Sequence, residues 1–80
     1  MKVAKGLKLF IADIIDEEDN EQTIWYVVGK TYDSALKRFI KEANRIWNRY
    51  SYYFDEADDE TVDKFINENE KIRVGVYYDC

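Results

Sequence analysis

The chain changes its hydrophobic period several times, and each change predicts an element. From Gly6 to Ile15, Leu7, Leu9 and Ile11 alternate with Lys8, Phe10 and Ala12, a period of two in which both faces carry apolar bulk. The block Ile24-Trp25-Tyr26-Val27-Val28, within Thr23 to Lys30, is β-branched and aromatic throughout and suits a central or two-sided strand. Between the two lies Asp16-Glu17-Glu18-Asp19-Asn20-Glu21, too polar to pack, with Asn20 able to take a left-handed turn conformation. The pair reads as a hairpin.

After Gly29 the period lengthens. Thr31 is placed to cap a helix with Asp33 in its first turn, favourable beside the positive end of the helix dipole. Tyr32, Ala35, Leu36, Phe39, Ile40, Ala43, Ile46, Trp47 and Tyr50 then recur at gaps of three and one, a single apolar stripe that predicts one helix from residue 32 to about 50. Tyr53 and Phe54 prolong the stripe, with fraying or a bend expected near Ser51. A shorter helix is predicted from Asp58 or Asp59 to Asn67, facing Val62, Phe65 and Ile66 inward. The last strand alternates Ile72, Val74, Val76 and Tyr78 with Lys71, Arg73, Gly75 and Tyr77.

The order β-β-α-α-β predicts an α+β fold: a small single domain over residues 1–80, with a three-stranded antiparallel sheet and both helices packed on one face. With the last strand beside the first, the strand order is 2-1-3 and the helices form a right-handed crossover. The opposite face then carries Trp25, Val27, Arg73 and Tyr77, whose apolar area favours a partner or a second copy.

Composition narrows the function. The 80 residues are 46% hydrophobic and 16% aromatic, too rich in core material for a disordered acidic chain. The chain is nevertheless short enough that a folded monomer is only marginally stable. A net charge of −5 makes the molecule as a whole repel nucleic-acid phosphates. Histidine is absent and the single cysteine is Cys80, so nucleophilic triads of the usual kind, internal disulfides and Cys/His metal sites are excluded. The acidic stretches lack the glycine of a calcium loop, and the position where such a loop started at Asp55 would need its closing glutamate is Ile66. No cofactor, catalytic residue or metal site is expected. No stretch is apolar enough to target or span a membrane, and a reducing cytoplasm fits best.

Charge is distributed unevenly along the chain. Acids crowd Asp16, Glu17, Glu18, Asp19 and Glu21, and again Asp55, Glu56, Asp58, Asp59, Glu60 and Asp63. Lys37, Arg38, Lys41, Arg45 and Arg49 ride on the predicted long helix between them. Acidic turns are common on small soluble domains, so each acidic run reads first as a solubilising turn, and alternatively as a surface complementary to a basic protein groove, in the manner of nucleic-acid phosphates. Tyr52 and Tyr53, beside the second run, offer the large, low-entropy contact area that interfaces favour, with Tyr52 expected to be the exposed one and Phe39, Trp47 and Tyr50 buried. The basic ridge is an ordinary solvated helix face or a track for a phosphate backbone, though it lacks the interleaved aromatics usual in RNA recognition.

In size, compact α/β pattern and acidic loops such as Asp16-Glu17-Glu18-Asp19, the chain resembles the small acidic proteins that bacteriophages use to block host defence, anti-CRISPR proteins among them. That resemblance implies binding and occlusion. The leading expectation is a non-enzymatic inhibitor or adaptor that meets a basic surface of a partner protein through its acids, Tyr52 and Tyr53; the resemblance implies a nucleic-acid-binding host defence protein as that partner. The alternative is a small homodimeric regulatory domain that touches nucleic acid through its basic helix.

Overall fold

A computed structural model of the chain describes residues 2–78, so Cys80 lies outside the described residues. Its axis is the long two-sided strand. After β1 (Lys2–Ala4) and a tight turn in which Gly6 takes a positive φ of 74°, β2 runs from Leu7 to Asp16 and pairs on both edges. On one edge lies β3 (Gln22–Gly29), antiparallel, with Phe10 opposite Val27 and Ile14 opposite Thr23. The hairpin between them turns at Asn20, whose φ is 61°. The other edge is shared by β1, which pairs with its first residues, and by β4 (Tyr50–Glu56), with Ala12 opposite Phe54 and Asp16 opposite Tyr50. The last strand, β5 (Gly75–Tyr78), pairs antiparallel with β3.

Among the described residues the sheet therefore has five strands rather than three, and the last lies beside β3 rather than beside β2. The order 2-1-3 and its right-handed crossover do not form. The two strands beyond those expected are β1 and, inside the stretch that reads as helix, β4. Tyr50, Tyr53 and Phe54 fit a helical stripe, but Tyr50, Tyr52 and Phe54 also alternate with Ser51, Tyr53 and Asp55. The second edge of β2 carries backbone donors and acceptors that need partners, and an aromatic run satisfies them best when extended. Helix α1 accordingly stops at Ile46: it spans Tyr32–Ile46, and Trp47 turns to extended backbone at φ −116° while its N–H still donates to the Ala43 carbonyl at 2.9 Å. At its start, Thr31 Oγ1 accepts from the Ser34 N–H at 3.1 Å and Ser34 Oγ accepts from the Thr31 N–H at 3.3 Å, a reciprocal cap. Helix α2 (Asp59–Glu68) begins where Asp58 Oδ1 accepts the Thr61 N–H at 2.8 Å.

The two helices lie on opposite faces of the sheet, not on one. Phe10, Ala12 and Ile14 of β2, with Trp25, Val27 and Phe54, form a core closed by Ala35, Phe39 and Ala43 of α1. Leu9 and Val28, which point the other way, join Val3 and Ala57 beneath Val62 and Phe65 of α2. Because β2 has apolar residues at both parities, each face can bury area, and a helix covers each. Trp25 and Val27 are therefore interior side chains under α1, and Tyr77 packs with the α2 cluster, so the expected exposed face of Trp25, Val27, Arg73 and Tyr77 does not exist as a unit. Phe54 stacks on both Phe10 and Phe39 with ring centres 5.5 Å apart, and Trp25 meets Phe39 edge-on at 5.9 Å. Alanines at positions 35 and 43 let α1 sit low on the sheet: a Cβ built on Gly29 would come within 3.0 Å of the Ala35 Cβ.

Candidate functional site

Helix α2 covers only part of its face. Over the half of the sheet nearer the hairpin, the side chains of Asp13 and Ile15 on β2, Ile24 on β3, and Ser51, Tyr53 and Asp55 on β4 share one surface, because Asp13 stands opposite both Ile24 and Tyr53. Tyr53 is 67% exposed, Ile15 43% and Ile24 36%, and no helix among the described residues lies over them. Apolar residues exposed side by side on a sheet are the feature that ordinary surfaces avoid.

Each acid on this surface is held by a donor. Gln22 Nε2 donates to Asp13 Oδ1 at 2.8 Å, Ser51 Oγ to Glu17 Oε2 at 2.6 Å, and the Tyr53 hydroxyl to Asp55 Oδ2 at 3.2 Å. The Glu56 N–H adds a bond to Asp55 Oδ1 at 2.8 Å. The donors fix the carboxylates in place and leave lone pairs directed outward. Strand spacing puts Glu17 about 13 Å from Asp13 along β2, and Asp13 about 7–8 Å diagonally from Asp55. These acids form a row rather than a ring, and among the described residues no group of three or more carboxylates or thiols converges as a metal site.

The acids singled out by sequence are divided by this geometry. Asp16, Glu17, Glu18, Asp19 and Glu21 form the hairpin tip, while Asp55, Glu56, Asp58, Asp59 and Glu60 sit where β4 leads into α2. Asp16 pairs with Tyr50 and Phe10 with Glu56, so the two clusters lie at opposite ends of β4, about 20 Å apart. Several of them build local structure: Asp16 Oδ1 accepts the Glu18 N–H and Asp19 Oδ1 the Glu21 N–H, each at 2.9 Å, and Asp58 caps α2 with Asp59 and Glu60 in its first turn. Tyr52 and Tyr53 point to opposite faces of β4. Tyr52, 43% exposed, meets Phe39 edge-on at 5.2 Å on the α1 side, so Tyr53 is the more exposed of the two. Phe39 is fully buried, but Trp47 and Tyr50 are only partly covered at the margin of that core.

Sequence reasoning missed Asp13. Its signal was a single acid between Ile11 and Ile15 on the parity opposite Phe10, Ala12 and Ile14, which marks where that face leaves the core.

The basic residues lie elsewhere. Lys37, Arg38, Lys41 and Arg45 are exposed on α1, on the far side of the sheet from the acidic row, with Lys37, Lys41 and Arg45 at four-residue steps. Arg45 pairs with Glu42 at 3.4 Å, an exposed contact of little energetic weight. Arg49 is not on the helix but in the turn before β4, where its carbonyl accepts the Glu17 N–H at 3.1 Å. No helix among the described residues is long and apolar enough to cross a membrane.

Titration follows from these contacts. The bond to Asp55 raises the Tyr53 phenol above its ordinary range, the bond to Glu42 raises that of Tyr78, and burial raises Tyr50. Hydrogen bonds from Thr61 lower the Asp58 carboxyl. A raised phenol stabilises the fold below the unfolded tyrosine value of about 10 and loses that contribution as pH climbs through the folded value. A lowered carboxyl contributes above about pH 4 and loses its share as pH falls through the folded value. Thermal melts should hold a plateau between these limits and decline at both ends. Asp58→Asn, which keeps a capping side chain but cannot titrate, should move the acid limb to lower pH; an acid limb identical to the parent would remove Asp58 from it.

Comparison of the chain with protein-family models, curated proteins and solved structures returns no match.

Proposed function

We propose that this is a non-enzymatic binding protein, an inhibitor or adaptor, that places the uncovered half of its α2-side sheet face against a basic surface of a partner protein. The observation that carries the reading is the row Asp13, Glu17 and Asp55, each oriented by a hydrogen bond and interleaved with exposed Ile15, Ile24 and Tyr53. Carboxylates that are already fixed lose little entropy on meeting arginine or lysine, and the apolar residues between them supply the short-range packing that charge alone does not. The net charge of −5 adds long-range attraction for a positively charged partner. The hairpin tip and the start of α2 flank this face and extend its field. The basic ridge of α1 points the other way, so the two surfaces can be tested separately.

Affinity capture from a cell extract, with and without nuclease, is the test. A partner retained after nuclease by the parent protein and by Lys37→Gln/Lys41→Gln/Arg45→Gln, but lost with Asp13→Asn/Glu17→Gln/Asp55→Asn, is the expected result. Retention that disappears with nuclease, or that follows the basic substitutions instead, would transfer the function to nucleic acid and the α1 ridge.

A further inference from the structure

Beside the acidic row, the same side of the molecule opens into a cavity of about 550 Å³ between α2 and the strands β3 and β5. Its strand wall is Tyr26, two residues along β3 from Ile24, and Tyr77, which stands opposite it on β5. Its helix wall is the stripe Glu60, Lys64 and Glu68, at steps of four, with Phe65 at the floor. The three rings are fixed relative to one another: Phe65 lies 5.7 Å from Tyr26 and 5.0 Å from Tyr77, edge-on to the latter. The Tyr77 hydroxyl accepts the Arg73 N–H at 2.8 Å and donates to the Arg73 carbonyl at 3.2 Å, which spends its polar end on the preceding loop and leaves the ring as an apolar wall. Neither glutamate has an ion-pair or hydrogen-bond partner among the described residues.

Aromatic rings opposite carboxylates make a chemically specific pocket. The ring faces are negative and two carboxylates stand against the one ammonium of Lys64, so a cation between rings and carboxylates gains from both, whereas an anion meets a wall of net negative charge. We infer that this cleft receives a single cationic side chain, arginine or lysine, projecting from the basic partner. The inference rests on the proposed function and deepens it: the acidic row meets the partner's surface broadly, and the cleft beside it supplies the pocket into which one anchoring residue inserts. Lys64, between the two glutamates on the helix wall, opposes this charge preference, so its removal should favour the ligand.

The probe is a capped tripeptide, glycine-arginine-glycine, compared with its citrulline counterpart, which has nearly the same shape without the charge. Followed by amide and aromatic resonances at millimolar peptide, the arginine form should shift Tyr26, Phe65 and Tyr77 saturably, and the citrulline form should bind about tenfold or more weakly. Glu60→Gln/Glu68→Gln should weaken the arginine peptide about tenfold, Lys64→Gln should strengthen it about threefold, and Tyr26→Leu, which keeps apolar bulk without the ring, should weaken it several-fold. Equal binding of arginine and citrulline, or weaker binding after Lys64→Gln, would overturn the assignment. Shifts at Asp13, Glu17 and Asp55 with none at Tyr26 and Tyr77 would also overturn it while leaving the acidic row as the binding surface. Absence of shifts at both places would count against the cleft and the row together.

Discussion

Phe39→Ala is expected to cost about 3–5 kcal/mol, close to the whole stability of a domain this small. Phe39 is fully buried at the centre of the α1 core, stacked on Phe54 and edge-on to Trp25 and Tyr52, so its removal leaves a cavity bounded by rings from β3 and β4 at once. Rigid rings held by two different strands cannot collapse into the gap as aliphatic chains would. Each kcal/mol lowers the melting temperature of an 80-residue domain by about 4–8 °C, so the variant should melt at least about 12 °C below the parent or fail to fold. Leu36→Ala and Ile40→Ala, at half-buried positions on the rim of the same core, should be milder. If Phe39→Ala melts with the parent while Leu36→Ala does not, the helix is rotated from the orientation described.

How much of this was legible in the sequence depended on whether an element's pattern was local. The α1 start was readable because Thr31, Asp33 and Ser34 settle it among themselves. The β2–β3 hairpin was readable because its two apolar runs flank a polar loop with Asn20 at the turn. The end of α1 was not, since Tyr50, Tyr53 and Phe54 satisfy helical and extended periods alike, and the decision comes from the unpaired edge of β2, some forty residues earlier in the chain. Missing β4 displaced everything that followed. A three-strand reading places the last strand on the edge of β2 that β4 occupies and puts both helices on one face.

The candidate site was legible in kind but not in membership. Acids and exposed aromatics were visible as chemistry. Which of them share a surface is a property of strand parity and register, so local pattern alone passes over Asp13, groups Tyr52 with Tyr53 across the sheet, and places Arg49 on a helix that ends before it. The two acidic runs also proved partly architectural, since Asp16, Asp19 and Asp58 spend side-chain oxygens on turns and a cap. Short polar acids do that work wherever the backbone leaves an N–H unpaired, and sequence does not show which N–H groups those are.

The acidic row is the centre of the functional account, and neutralising it should have a kinetic signature. Asp13→Asn/Glu17→Gln/Asp55→Asn preserves shape and one acceptor oxygen at each position, enough for Gln22, for Ser51 and for one of the two donors on Asp55, Tyr53 and the Glu56 N–H, while removing three charges from the one face proposed to meet the partner. Charge at this range steers encounter more than it holds a formed complex, so the association rate should fall about tenfold or more at low salt, with the dissociation rate changed much less. The difference should shrink as salt rises, because the Debye length drops from about 10 Å at 0.1 M to about 3 Å at 1 M. Neutralising Lys37, Lys41 and Arg45 should leave association unchanged or faster. The most direct measurement is therefore the association rate with the captured partner as a function of salt, for parent, acid-neutralised and base-neutralised proteins. A slower acid-neutralised variant with weaker salt dependence than the parent is predicted; parent-like rates and salt dependence in that variant, with the loss appearing in the base-neutralised one, would contradict the account.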